Sequence, residues 1–141
     1  FCGHLDPNRI EYLEDLCADF ADIAFVANRT GMPVALDELL AQGKPWEPIP
    51  QLKALVLKPT LLGSLANSEA LVARARELKL KVIVSSCFES GVGLGQLARL
   101  AGEWAPDQAP GLDTRRWLAR DLLDKQGQPD PGRMDPLFHR D

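Results

Sequence analysis

The sequence predicts an α/β protein built on a parallel sheet covered by helices. Two observations lead there: its strand candidates are uninterrupted apolar runs, and they alternate with segments of helical apolar spacing. A third observation bears on function, because each strand candidate runs into a reactive polar side chain at its carboxyl end. On pattern alone, a doubly wound sheet and an arc of a barrel are both compatible with this order.

The elements follow in sequence. Ile10-Glu11-Tyr12-Leu13 reads as a first short strand closed by two acids, Glu14-Asp15. Ala18 to Asn28 carries Phe20, Ile23, Ala24 and Ala27 at helical spacing, with Asp19 and Asp22 where the helix dipole favours negative charge. Thr30-Gly31 ends that helix, and Met32 to Leu36 is the next strand, running into Asp37-Glu38. After a proline-rich connection (Lys44 to Pro50), Ala54 to Leu57 is the clearest strand and leads to Lys58-Pro59-Thr60. Ser64 is a capping residue for a helix from Leu65 to Leu78. Lys81 to Val84 forms another strand, ending at Ser85-Ser86, and Gly93 to Ala101 a helix opening from a glycine-rich turn. Gly111 to Asp113 is expected as a very short last strand, Arg115 to Leu123 as a final helix, and 125–141 as a flexible tail.

Composition narrows the function classes. A formal charge of −4 and pI near 5.2 exclude a phosphate-binding basic surface. No apolar run reaches the length of a membrane span. Three scattered cysteines do not make a disulfide framework and fit a reducing cytoplasm. A closed eight-stranded barrel takes roughly 250 residues, more than the 141 present. The start at Phe1-Cys2-Gly3-His4, without Met or signal-peptide core, suggests a segment of a longer chain.

Side chains alternate along a strand, so Glu14 shares a face with Tyr12, and Lys58 with Val56 and Ala54. If those faces point inward, carboxylates and ammonium converge where βα loops assemble sites. Two carboxylates on neighbouring strand ends suit Mg²⁺, and a nearby lysine suits proton transfer or stabilisation of developing negative charge. The plain alternative is that Glu14, Asp15, Asp37 and Glu38 merely cap the helices that follow them.

The runs Tyr12-Leu13-Glu14-Asp15-Leu16-Cys17, Ala35-Leu36-Asp37-Glu38-Leu39-Leu40 and Val56-Leu57-Lys58-Pro59-Thr60 resemble the metal-binding and lysine strands of the enolase superfamily. Ser85-Ser86-Cys87-Phe88-Glu89-Ser90-Gly91, followed by Pro110-Gly111-Leu112-Asp113-Thr114, is similar specifically to the o-succinylbenzoate synthases. The resemblance implies that residues 1–124 are the carboxyl-terminal half of a (β/α) TIM-type barrel. It further implies a Mg²⁺-dependent lyase dehydrating 2-succinyl-6-hydroxy-2,4-cyclohexadiene-1-carboxylate, a small-molecule carboxylate, to o-succinylbenzoate in menaquinone synthesis. Glu14 and Asp37 would be metal ligands, Lys58 the catalytic lysine facing the enediolate, and Ser85, Ser86 and Gly111 substrate-binding. The loop Gly91 to Gly95 is expected to hold a substrate carboxylate at a helix start.

Glu14-Asp15-Leu16 and Asp37-Glu38-Leu39 depart from the usual Glu-Glu-Pro and Asp-Glu-Ser without removing a ligand. A Lys-x-Lys strand, a first metal-binding Asp and a capping domain are absent from this sequence, so dehydration by the isolated chain is not expected. Lys79-Leu80-Lys81 lies at a strand's beginning, the wrong rim, and reads as solvated charge. Two further readings remain: an N-acyl amino acid racemase or dipeptide epimerase of the same superfamily, and a non-catalytic half barrel. Exposed strand edges would drive the latter to self-associate or to pair with the missing amino-terminal half. Cys2 and His4 lack the spacing of a soft-metal site, and Cys87 reads as a core residue.

Overall fold

A computed structural model describes residues 2–124 and 126–130. Four strands, β1 (Leu13–Glu14), β2 (Val34–Leu36), β3 (Leu52–Leu57) and β4 (Lys81–Val84), form one sheet in the order β1-β2-β3-β4. Every neighbouring pair is parallel. The connections carry α1 (Phe20–Thr30), α2 (Glu38–Ala41) and α3 (Leu65–Glu77), and α4 (Gly91–Trp104) follows β4. A parallel bridge between Ser85 and Gly111 extends the sheet at the β4 edge and is all that forms of the expected last strand.

Strand alternation divides the apolar residues between two clusters. Val34, Leu36, Leu55, Leu57, Val82 and Val84 pack against helical residues such as Ile23, Ala27, Val72, Leu97 and Trp104. Ala35, Ala54 and Val56 lie on the other face with Tyr12 and Ile83. The second face uses small residues in its centre, which lets the sheet bend toward it. Glu11, just before β1, reaches Lys81 at the start of β4 with 2.6 Å between Nζ and Oε1. A flat sheet would hold those two edges three strand spacings apart, roughly 14 Å. The two long side chains bridge that spacing and tie the start of β1 to the start of β4.

Local signals account for the helix ends. Gly31 adopts φ 71° and its N–H closes α1 onto the Ala27 carbonyl. Ser64 Oγ accepts from the Asn67 N–H at the start of α3, and Ser90 Oγ from the Gly93 N–H at the start of α4. Two expectations need correction. The helix expected from Arg115 to Leu123 is only a 3-10 turn, Arg115–Trp117. Asp121 leaves that path because its carboxylate accepts from the N–H of Gly91, at 2.7 Å, and from its own neighbour Leu122. The short helix α2 was not anticipated at all. Of the expected tail, only 126–130 is described; Gln126 and Gln128 both donate to Asp124, and Leu123 bridges Pro129.

Candidate metal and carboxylate site

The carboxyl ends of β1, β2 and β3 bring the predicted acids and lysine to one rim. Glu14 is exposed and stands in register with Ala35, two residues before Asp37. Asp37 is buried, with 8% of its surface exposed. The Lys58 ammonium donates to Asp37 Oδ2 at 2.7 Å and to Glu38 Oε1 at 2.5 Å.

These contacts do not satisfy the site. Asp37 Oδ1 is buried and accepts no hydrogen bond. Burial dominates the titration of this carboxyl and pushes its pKa up to about 6, although Lys58 pulls the other way; Glu38 and Glu14 add repulsion. Glu38, nearer solvent, is held low by its hydrogen bond to Lys58. For Lys58, burial disfavours the charge, but the two carboxylates outweigh it and keep the ammonium above its ordinary value. The rim thus holds a protonated lysine, a carboxylate with one unused buried oxygen, and a second acid whose charge reaches it.

An unused carboxylate oxygen beside a second acid is the donor chemistry that Mg²⁺ takes, with water completing its shell. On that observation Glu14 and Asp37 fit a divalent ion. Among the described residues, however, no group of three or more metal-ligating side chains occurs.

Asp15, which the sequence offered only as one of several helix-capping acids, has a distinct role. Its backbone is left-handed, φ 34°. One carboxylate oxygen accepts from the Asp37 N–H at 3.0 Å and the other from the Leu39 N–H at 2.8 Å. Asp37 stands at the N-cap position of α2 but makes no side-chain cap. The cap is supplied by Asp15 from the adjacent strand, and the Asp37 carboxylate is left to face Lys58. No spacing in the sequence signals this partnership, since the two residues are 22 positions apart.

The other predicted group assembles at β4. Ser86 is buried; its Oγ donates to the Gly111 carbonyl at 3.0 Å and lies 3.0 Å from Thr114 Oγ1. Ser85 Oγ donates to the same carbonyl at 3.3 Å. A Cβ on Gly111 would stand 2.9 Å from Ser85 Oγ, so the approach needs glycine. The Gly111 N–H donates to Val84 and its carbonyl accepts from the Ser86 N–H. The start of α4, expected to receive a substrate carboxylate, instead receives the carboxylate of Asp121, which also pairs with Arg115. Hydrogen bonds from Gly91 and Leu122, with Arg115 beside them, hold that carboxyl below its ordinary value.

At the opposite rim Lys81 opens β4 and is bound to Glu11, while Lys79 is left-handed at φ 57°. Neither belongs to the site. Cys2, Cys17 and Cys87 are free thiols.

Comparison with known proteins accords with this geometry. No family model matches the chain. Over its whole length it is 39% identical to o-succinylbenzoate synthase of Pasteurella multocida, across 150 aligned residues and 43% of that protein. It is likewise 39% identical to o-succinylbenzoate synthase of Salmonella paratyphi B, across 145 residues and 44% of that protein. The chain therefore spans less than half the length of these curated relatives. Among solved structures, MenC from Desulfotalea psychrophila superposes with TM-score 0.67 at 22% identity, over 82% of this chain and 35% of that one. The L-Ala-D/L-Glu epimerase of Bacillus subtilis superposes with TM-score 0.64 at 20% identity, over 82% and 33%. An enolase from Pseudomonas fluorescens with bound magnesium, potassium and tartrate superposes with TM-score 0.52 at 22% identity, over 74% and 24%. These structures share the fold, and each is matched over a part only. Over its whole length the chain thus resembles a part, less than half, of the curated o-succinylbenzoate synthases.

Proposed function

We propose that the chain is the carboxyl-terminal half of a Mg²⁺-dependent o-succinylbenzoate synthase barrel, residues 1–124, contributing Glu14 and Asp37 as metal ligands and Lys58 as the catalytic lysine. The observation that carries this is the buried, unused Asp37 Oδ1 beside a lysine held protonated by two carboxylates. When bound, Mg²⁺ would supply a positive charge that makes the hydrogen next to a substrate carboxylate more acidic. Lys58 then serves as a fixed cation for the charge developing on that carboxylate, and Glu38 keeps its ammonium in place. Ser85 and Ser86 offer hydroxyls near the same rim. Gly111 would line the rim beside them, its backbone groups used in the sheet and the place of its missing side chain taken by Ser85 Oγ.

In this reading the chain acts with an amino-terminal part of the kind its longer relatives possess, in the dehydration step of menaquinone synthesis and in the cytoplasm, which free thiols suit. No described helix is long and apolar enough to cross a membrane. Calorimetric titration with Mg²⁺ tests the site: binding is expected, and Asp37→Asn should abolish it. Failure of the unaltered chain to bind would overturn the metal assignment. Dehydration is expected only with the amino-terminal part supplied, and Lys58→Ala should remove it.

A further inference from the structure

Resting on the metal assignment above, we infer that Asp15 is a positioning residue that sets the two ligands in register and keeps the Asp37 carboxylate free for the ion. An acid at a helix N-cap ordinarily turns its carboxylate back onto the helix N–H groups. Asp37 occupies that position ahead of α2 and does not turn back. The N–H groups of Asp37 and Leu39 are both taken by Asp15, one on each oxygen. Asp15 also donates its own N–H to the Ala35 carbonyl, so β1 and β2 are tied on both sides of the ligand pair.

The backbone supports a dedicated role. A left-handed φ in a residue other than glycine is uncommon and costs conformational energy. At Asp15 it directs the carboxylate across to β2, while Glu14 remains exposed at the strand end. With Asp15 removed, the α2 N–H groups would be unpaired, and the nearest carboxylate that could serve them is Asp37 itself. Asp37 would then be drawn from the rim, and Glu14 would lose its fixed relation to it.

The test is Mg²⁺ affinity, measured by calorimetry in the protein and three variants. Asp15→Asn tolerates the left-handed backbone but cannot accept both N–H groups. Asp15→Gly relieves the backbone and removes the carboxylate. Leu40→Ala weakens α2 packing and leaves the cap untouched. Loss of a side chain that orients a ligand typically weakens metal binding about 10–100-fold, and that is expected for both Asp15 variants, against less than about a threefold change for Leu40→Ala. Unchanged affinity in either Asp15 variant, or equal weakening in Leu40→Ala, overturns the inference while leaving the metal site standing. No binding by the unaltered protein removes both, and that result is recognisable because it precedes any substitution.

Discussion

The two halves of the carboxyl rim are finished differently. At β4 the chain satisfies itself save for the buried Glu89 Oε2: Ser85 and Ser86 bond to Gly111, and Asp121 fills the start of α4. At β1 to β3 it does not: Asp37 keeps a buried oxygen without a donor, and its carboxyl is pushed up to about 6 by burial. The contrast separates two uses of buried polarity. A closed network adds to stability, whereas an incomplete one stores unfavourable energy that a ligand can release.

Substitutions should respond with opposite sign in the two regions. The largest effect is expected at Gly91, where an added Cβ would lie 2.5 Å from Leu123 Cδ1 and 2.7 Å from Asp121 Oδ2. Gly91→Ala should cost about 2 kcal/mol in urea unfolding, by overpacking the segment that seals α4.

Asp37→Asn should instead stabilise the metal-free protein, by about 1 kcal/mol at pH 8. A folded-state pKa raised to about 6 means the native protein holds that proton more tightly than the unfolded chain. The stability it confers is complete below the ordinary value of 3.8 and lost as pH rises through about 6. The gain in the variant should accordingly vanish near pH 4. Unfolding curves at both pH values decide the matter, and a loss of stability at pH 8 would remove the claim that this region is strained.

For Asp121 the sign reverses. Its carboxyl is held low, so its contribution is present above the ordinary value and lost as pH falls through the folded value. Asp121→Asn should cost about 1 kcal/mol at pH 7, with the penalty fading below about pH 4. The smallest effect is expected for Ser86→Ala, about 0.5–1 kcal/mol, because Gly111 retains the Ser86 N–H and the Ser85 hydroxyl as donors. Chemical denaturation at neutral pH measures it.

Much of this was legible in the chain. Apolar runs and strand parity put Glu14, Asp37 and Lys58 on one face with Tyr12, Ala35 and Val56, because side-chain direction depends only on position along a strand. Gly31 and Ser64 marked helix ends through their local chemistry. What escaped notice depends on partners distant in sequence. Asp15 acts on N–H groups 22 and 24 residues away, and Asp121 on one 30 residues away. The same long-range contact redirects the segment after Trp117, where local spacing had suggested a helix. Lys81 is the solvated charge its place at the strand's beginning suggested, and only its pairing with the exposed Glu11 depends on a distant partner.

That Glu11–Lys81 pair is a solvated clasp. It joins the residue before β1 to the start of β4, at the rim away from Asp37 and Lys58, and Tyr12 feels both of its charges.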